Sequence, residues 1–254
     1  MVPDTAAYAP AMGALSGVRR FAEPVERMFG GIAGSVCGVR TAEPHVVLTY
    51  DDGPEPGSTE AVLAALGDFG ATATFFVLLT RARRSPGLLA EVAAEGHEIA
   101  LHGPDHRRLT GLPTREVELR TRAARAELED LTGRRTTWFR PPYGTQSPRT
   151  WRAVTRDGLV PVLWGPVLRD WSDVPQSDRV AGAVRDSRAG SIVLGHDGFA
   201  GPEDGVDDGP VPVVDRGDLT RRLLGAYGER GLVGRSLGDA LVSGEQSRRA
   251  WFRR

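Results

Sequence analysis

Residues 45–78 read HVVLTYDDGPEPGSTEAVLAALGDFGATATFFVL, and their pattern decides the fold. Val46–Tyr50 is a short apolar run broken off by the polar turn 51–57, as a strand buried on both faces reads. Ser58–Leu66 then spaces its apolar residues at helical intervals, and Thr72–Leu78 returns to a strand-like run behind Gly70. Strand, helix and strand in so short a stretch make a βαβ unit.

The alternation continues down the chain. Further strands are expected at Glu98–Leu101, Thr137–Arg140, Leu159–Leu163, Ser191–Leu194 and Leu232–Val233. Helical patterns lie between them at Pro86–Glu95, Pro113–Leu131, Pro148–Arg156, Ser177–Ala189 and Leu219–Arg230. No linker interrupts the series, so residues 43–245 are expected to form a single α/β domain with parallel strands. Residues 1–42 carry no strand pattern and read as an N-terminal extension with a short helix over Pro24–Phe29. Residues 246–254 read as a basic, aromatic tail with a frayed end, and 201–218 as a Gly/Pro/Asp-rich loop.

Composition narrows the function. The 254 residues, 40% hydrophobic and 26% charged, suffice for a sizeable core. A net charge of −1, with all 32 basic residues arginine and scattered, leaves no footprint for nucleic acid. The single Cys37 excludes an internal disulfide and a cysteine-ligated zinc site. Met28–Val39, the longest weakly polar stretch, is too short to be an integral membrane segment. Asp4, Glu23 and Glu26 spoil it as a secretory signal, so the expected location is cytoplasmic. The sequence sets no oligomeric state.

Five predicted strand ends each deliver a titratable or arginine side chain: Asp51-Asp52, His102, Arg140, Asp170 and His196. In a barrel of parallel strands that rim is where chemistry sits. His102 and His106 are four apart, and on a helix beginning at Pro104 both imidazoles would reach one ion. A zincin protease is excluded, because the position of its glutamate is Gly103. Two histidines and a carboxylate make a three-ligand hydrolytic metal site with an open position. Asp51 and Asp52 point different ways after a strand, so one can bind metal while the other faces the reacting water. His97 falls on the face opposite His102 and reads as structural, His45 as exposed and Cys37 as a small buried thiol. Asp204, Asp207 and Asp208 lack the spacing of a calcium loop and read as a solvated flap.

The ordered motifs TYDDGP (49–54), HGPDH (102–106), RPPYG (140–144), RDW (169–171) and IVLGH (192–196) resemble those of the polysaccharide deacetylases. These are carbohydrate esterase family 4, metal-dependent enzymes that remove N- or O-acetyl groups from sugars. The resemblance implies a distorted (β/α)7 barrel. It implies Asp52, His102 and His106 as metal ligands, Asp51 as general base held by Arg140, and His196 as general acid supported by Asp170. It also gives the Tyr143 backbone N–H to the oxyanion, and Pro141, Trp171 and Leu194 to the substrate as apolar contacts. The implied cofactor is a divalent metal, Zn2+ with Co2+ or Ni2+ as alternatives. The implied partner is a carbohydrate or glycoside. Gly103 and Val167 depart from the family pattern, which usually has Ser or Thr and Asp there. Two other readings stay open: a deacetylase or amidohydrolase of a small intracellular glycosylated metabolite, and an inactive sugar-binding module. The latter would lack one of the five site residues Asp51, Asp52, His102, His106 and His196, and all are present.

Overall fold

The computed structural model describes residues 34–252 and contains the expected α/β domain. Its strands are β1 (Ser35–Arg40), β2 (His45–Asp51), β3 (Thr74–Leu78), β4 (Glu98–Gly103), β5 (Trp138–Phe139), β6 (Val160–Pro161), β7 (Ile192–His196), β8 (Val233–Arg235) and β9 (Glu245–Arg249). The helices are α1 (Ser58–Asp68), α2 (Leu79–Arg84), α3 (Pro86–Ala94), α4 (Thr114–Thr132), α5 (Pro148–Arg156), α6 (Gln176–Asp186), α7 (Arg216–Glu229) and α8 (Leu237–Val242). None of them is long and apolar enough to cross a membrane.

Seven strands, β2 to β8, are parallel. Six run in the order β6-β5-β4-β3-β2-β7, and β8 pairs with His45–Val47 at the start of β2. The expected barrel is therefore distorted and open: no ladder joins β6 to β7. The seam is crossed by β1, where the Leu163 N–H donates to the Val36 carbonyl and the Val39 N–H to that of Gly190, both at 2.8 Å. Gly190 has φ 78, and a Cβ there would fall within bonding distance of the Val39 carbonyl, so only glycine fits this crossing.

This corrects the reading of both ends of the domain. β1 lies where no strand pattern was expected, and β9 replaces the frayed tail by pairing antiparallel with it. A short ribbon carrying Gly38, and a wholly polar partner EQSRR, are stabilised by pairing rather than by their own pattern. The helix expected over Pro24–Phe29 lies outside the described residues. Helices α2 and α8 had not been anticipated, and β5 and β6 shrink to two residues each.

Strand alternation then separates two cores. Leu48, Tyr50, Phe75, Val77, Leu101, Phe139 and Val193 face outward into the helical layer. Val47, Phe76, Ala100, Trp138, Val162 and Ile192 face inward, joined by Val36 of β1. Continuing up the inward face, the same parity brings Asp51, His102, Arg140 and His196 to the C-terminal mouth.

Phe76 is wholly buried on the inward face directly against Arg140. Phe76→Ala should lower stability by about 3–5 kcal/mol, read as a lower urea midpoint with an unchanged slope.

Candidate active site

The mouth of the sheet gathers Asp51, Asp52, His102, His106, Arg140, Asp170 and His196, all buried. Asp52 has φ 73, which turns its carboxylate back over the strand ends toward the two histidines. Its Oδ1 lies 3.4 Å from Nε2 of both His102 and His106. The ligand atoms of these three residues all fall within 4.8 Å of one another. Asp52 Oδ1 is buried with no hydrogen-bond partner. An unpaired buried carboxylate oxygen beside two imidazole nitrogens fits a divalent cation.

The histidines converge by a route different from the expected one. His102 ends β4, but His106 sits in a bend rather than on a helix. Gly103 has φ 140 and Pro104 has no N–H, so the chain turns sharply between them instead of coiling. A Cβ at position 103 would lie 2.8 Å from the Asp105 carbonyl, so this turn requires the glycine that departs from the family pattern. His102 Nδ1 lies 2.8 Å from the Arg140 carbonyl. That contact assigns the proton to Nδ1 and leaves the Nε2 lone pair for a ligand. Burial holds the His102 ring neutral, its pKa pushed down to about 3.

Asp51 and Asp52 take separate positions. Arg140 Nη1 donates to Asp51 Oδ1 at 2.7 Å and to Thr49 Oγ1 at 2.8 Å. The guanidinium lies 4.0 Å above the Phe76 ring, with Trp164 at 5.4 Å. Burial pushes the Asp51 carboxyl above the usual range, and the Arg140 charge pulls it back. Such a carboxylate is a stronger base than an exposed one.

A second pair faces it. His196 Nδ1 lies 2.7 Å from Asp170 Oδ1, while the His196 backbone N–H donates to Asp170 Oδ2 at 2.7 Å. Burial works against charge on the ring, but Asp170 outweighs it, and the His196 pKa is pushed up to about 9. Burial likewise raises the Asp170 carboxyl, and its contacts with His196 bring it below the usual range. The half-buried Trp171 stands edge-on to the His196 ring at 5.4 Å. Leu194 is fully buried one inward position below His196, and Pro141 is buried beside Arg140. Tyr143 has φ 59, and its ring lies 4.3 Å from that of His106.

Among the described residues, the non-glycine positions of positive φ are Asp52, Tyr143 and Arg169, all within the sequence motifs. Sparsely populated backbone conformations of this kind cluster at active sites and ligand clamps. The minor readings divide. His97 is buried against Phe75 on the outer face, as its parity implied. His45 opens β2 half-buried rather than exposed, and Cys37 is also only half-buried. Asp204 is not part of a solvated flap: it is fully buried, bonded to Thr80 and Arg81. Asp208, also read as part of that flap, accepts the Tyr143 hydroxyl and lies 3.6 Å from His106 Nδ1. Asp197 was also missed. Thr59 donates to it at 2.6 Å, and burial pushes its pKa up to about 7. Neither aspartate stands in a motif with a repeat or spacing that could have flagged it.

A family profile described as polysaccharide deacetylase matches residues 38–162. The chitooligosaccharide deacetylase of Sinorhizobium fredii is 37% identical over 203 residues, covering 78% of this chain and 92% of that protein. The crystal structure of the Bc1960 peptidoglycan N-acetylglucosamine deacetylase shares the fold. Its TM-score is 0.74 at 22% identity, over 86% of this chain and 98% of that one. A family 4 pseudoenzyme from Bacillus anthracis is alike in fold too, with a TM-score of 0.72 at 16% identity over 82% of this chain and 69% of that one.

Removing Arg140 strands a buried carboxylate. Arg140→Leu should cost about 3–5 kcal/mol of unfolding free energy, and the double variant Arg140→Leu/Asp51→Leu should recover part of it. Equal losses in the two variants would show that Asp51 is not what Arg140 stabilises.

Proposed function

We propose, from the premise that this chain belongs to the polysaccharide deacetylase family and is a carbohydrate deacetylase, that it hydrolyses the N-acetyl group of an amino sugar through a metal-dependent acid–base pair. The observation that carries this reading is the buried Asp52–His102–His106 cluster standing between two oppositely tuned pairs, Asp51–Arg140 and Asp170–His196. The matched pseudoenzyme shows that the fold alone does not decide activity; these side chains support it.

Asp52, His102 and His106 would hold the cation, with zinc favoured by two imidazoles and one carboxylate. A divalent cation there would polarise the acetyl carbonyl and acidify the attacking water. Asp51 takes the proton of that water. Arg140 fixes the orientation of its carboxylate and keeps it ionised. The Tyr143 backbone N–H, held in a left-handed conformation, is the donor for the oxyanion. His196 delivers its proton to the departing amine, and the Asp170 carboxylate keeps it charged until then. Pro141, Trp171 and Leu194 supply the apolar side of the acetyl pocket.

The substrate class is N-acetylated oligosaccharide, with chitooligosaccharide first, because the Sinorhizobium fredii relative aligns along nearly its whole length. Zinc-dependent acetate release from chitooligosaccharides, peptidoglycan fragments and small N-acetyl glycosides tests it. Release from none of them by zinc-loaded protein would overturn the reading.

Two further outcomes are expected. Asp51→Asn should lower turnover ~10²–10⁴-fold while retaining metal, whereas His102→Ala should lose both, checked by metal analysis beside acetate release. His196 acts only when protonated, so turnover should fall as pH rises through the pKa of its ring, which Asp170 holds above the ordinary imidazole value. Asp170→Asn removes the largest influence that raises this pKa and leaves burial, so the falling limb should move to lower pH. A limb unmoved by that change would take the acid role from His196.

A further inference from the structure

The two histidines of the cluster differ in what holds their far nitrogens. His102 Nδ1 is fixed by the Arg140 carbonyl at 2.8 Å. His106 Nδ1 is buried with no partner within hydrogen-bond distance. What faces it is Asp208 Oδ2, at 3.6 Å, within ~1 Å of hydrogen-bond contact.

Asp208 does not sit there by chance of a loose loop. The segment between β7 and α7 is tied down four residues earlier by Asp204. That carboxylate accepts from Thr80 Oγ1 at 2.7 Å and from Arg81 Nε and Nη2 at 3.0 and 2.8 Å. The Asp204 carbonyl accepts the His106 backbone N–H at 2.9 Å, so the loop is bonded to the very residue it approaches. Beyond the anchor, both Asp208 oxygens accept the Tyr143 hydroxyl, at 2.7 and 2.9 Å. Tyr143 in turn packs on the His106 ring, with Arg108 over the tyrosine face at 3.8 Å.

We propose that Asp208 is a positioning residue, a carboxylate carried by the 201–209 loop that orients His106 through Nδ1 for metal ligation and fixes Tyr143 beside it. This rests on the reading of Asp52, His102 and His106 as metal ligands. A ligand histidine needs its proton on the nitrogen away from the metal, and an anionic acceptor there fixes the tautomer and strengthens the ligand. One loop side chain thereby couples the metal site to the residue whose backbone N–H faces the oxyanion.

The test is zinc affinity, measured on the full chain by competition with a chromophoric chelator, alongside the melting temperature of the metal-free protein. Asp208→Asn keeps the shape and removes the charge. It should raise the zinc Kd ~10–100-fold and leave the metal-free melting temperature unchanged, with Asp208→Glu restoring part of the affinity. Asp207→Asn removes an exposed charge one residue away and should leave affinity intact. Wild-type affinity in Asp208→Asn, or an equal loss in Asp207→Asn, would overturn the assignment. Failure of the wild-type chain to bind zinc would be a different result, overturning the metal reading and the role of Asp208 with it.

Discussion

The buried ion pair between Arg140 and Asp51 is the constraint on which the rest of the site depends. Arg140 is wholly buried, and a cation so placed is tolerable only where its charge is met. Asp51 and Thr49 meet it from β2, and aromatic faces of Phe76 and Trp164 flank it. The same residue holds β4: its backbone N–H donates to Leu101 and its carbonyl fixes the ring of His102. One side chain and its own peptide groups thus hold the proposed base and a proposed ligand together.

Around that anchor, environment divides the labour between like groups. Asp51 and Asp170 are both buried carboxylates, yet Asp51 is raised by burial despite Arg140, while contacts with His196 hold Asp170 low. His102 and His196 are both buried imidazoles, one held neutral and the other kept charged. Environments that push the pKa values of paired groups apart support the acid and base roles proposed for them. The neutral ring is the one placed to ligate. The charged one is the proposed proton donor.

How much of this was legible in the sequence follows from where each signal resides. The central strands are apolar runs because both their faces are covered, and such runs announce themselves. β1 and β9 do not, since Gly38 and the polar EQSRR gain stability only from partners far along the chain. Leu79–Arg84 follows β3 without any break residue, so strand and helix read as one stretch. Asp51, His102, Arg140 and His196 were legible because each lies at or beside a strand end within a local motif, whereas Asp170, expected at a strand end, stands in a turn well beyond β6 and was legible from its motif alone. The path joining His102 to His106 was not: equal spacing suits a helix or a turn, and the backbone of Gly103 decided for the turn. Asp204 and Asp208 were read as solvated because loop composition says nothing of a buried arginine waiting on α2.

The open seam of the barrel bears on the site as well. A closed ring of strands would hold its mouth by backbone bonding alone. Here β1 spans the gap between β6 and β7, and the segment after β6 bonds to β7 through the Gly165 N–H on the Ile192 carbonyl and the bridge between Val167 and Leu194. That bridge lies just ahead of Asp170 and just below His196, the residues of the proposed acid pair. Asp170 bonds both the ring and the backbone N–H of His196, and so continues by side chain the connection that the ladder leaves unfinished. The pair proposed to tune the proton donor also ties the segment after β6 to the end of β7, so the chemistry proposed for that edge and its architecture rest on the same interaction.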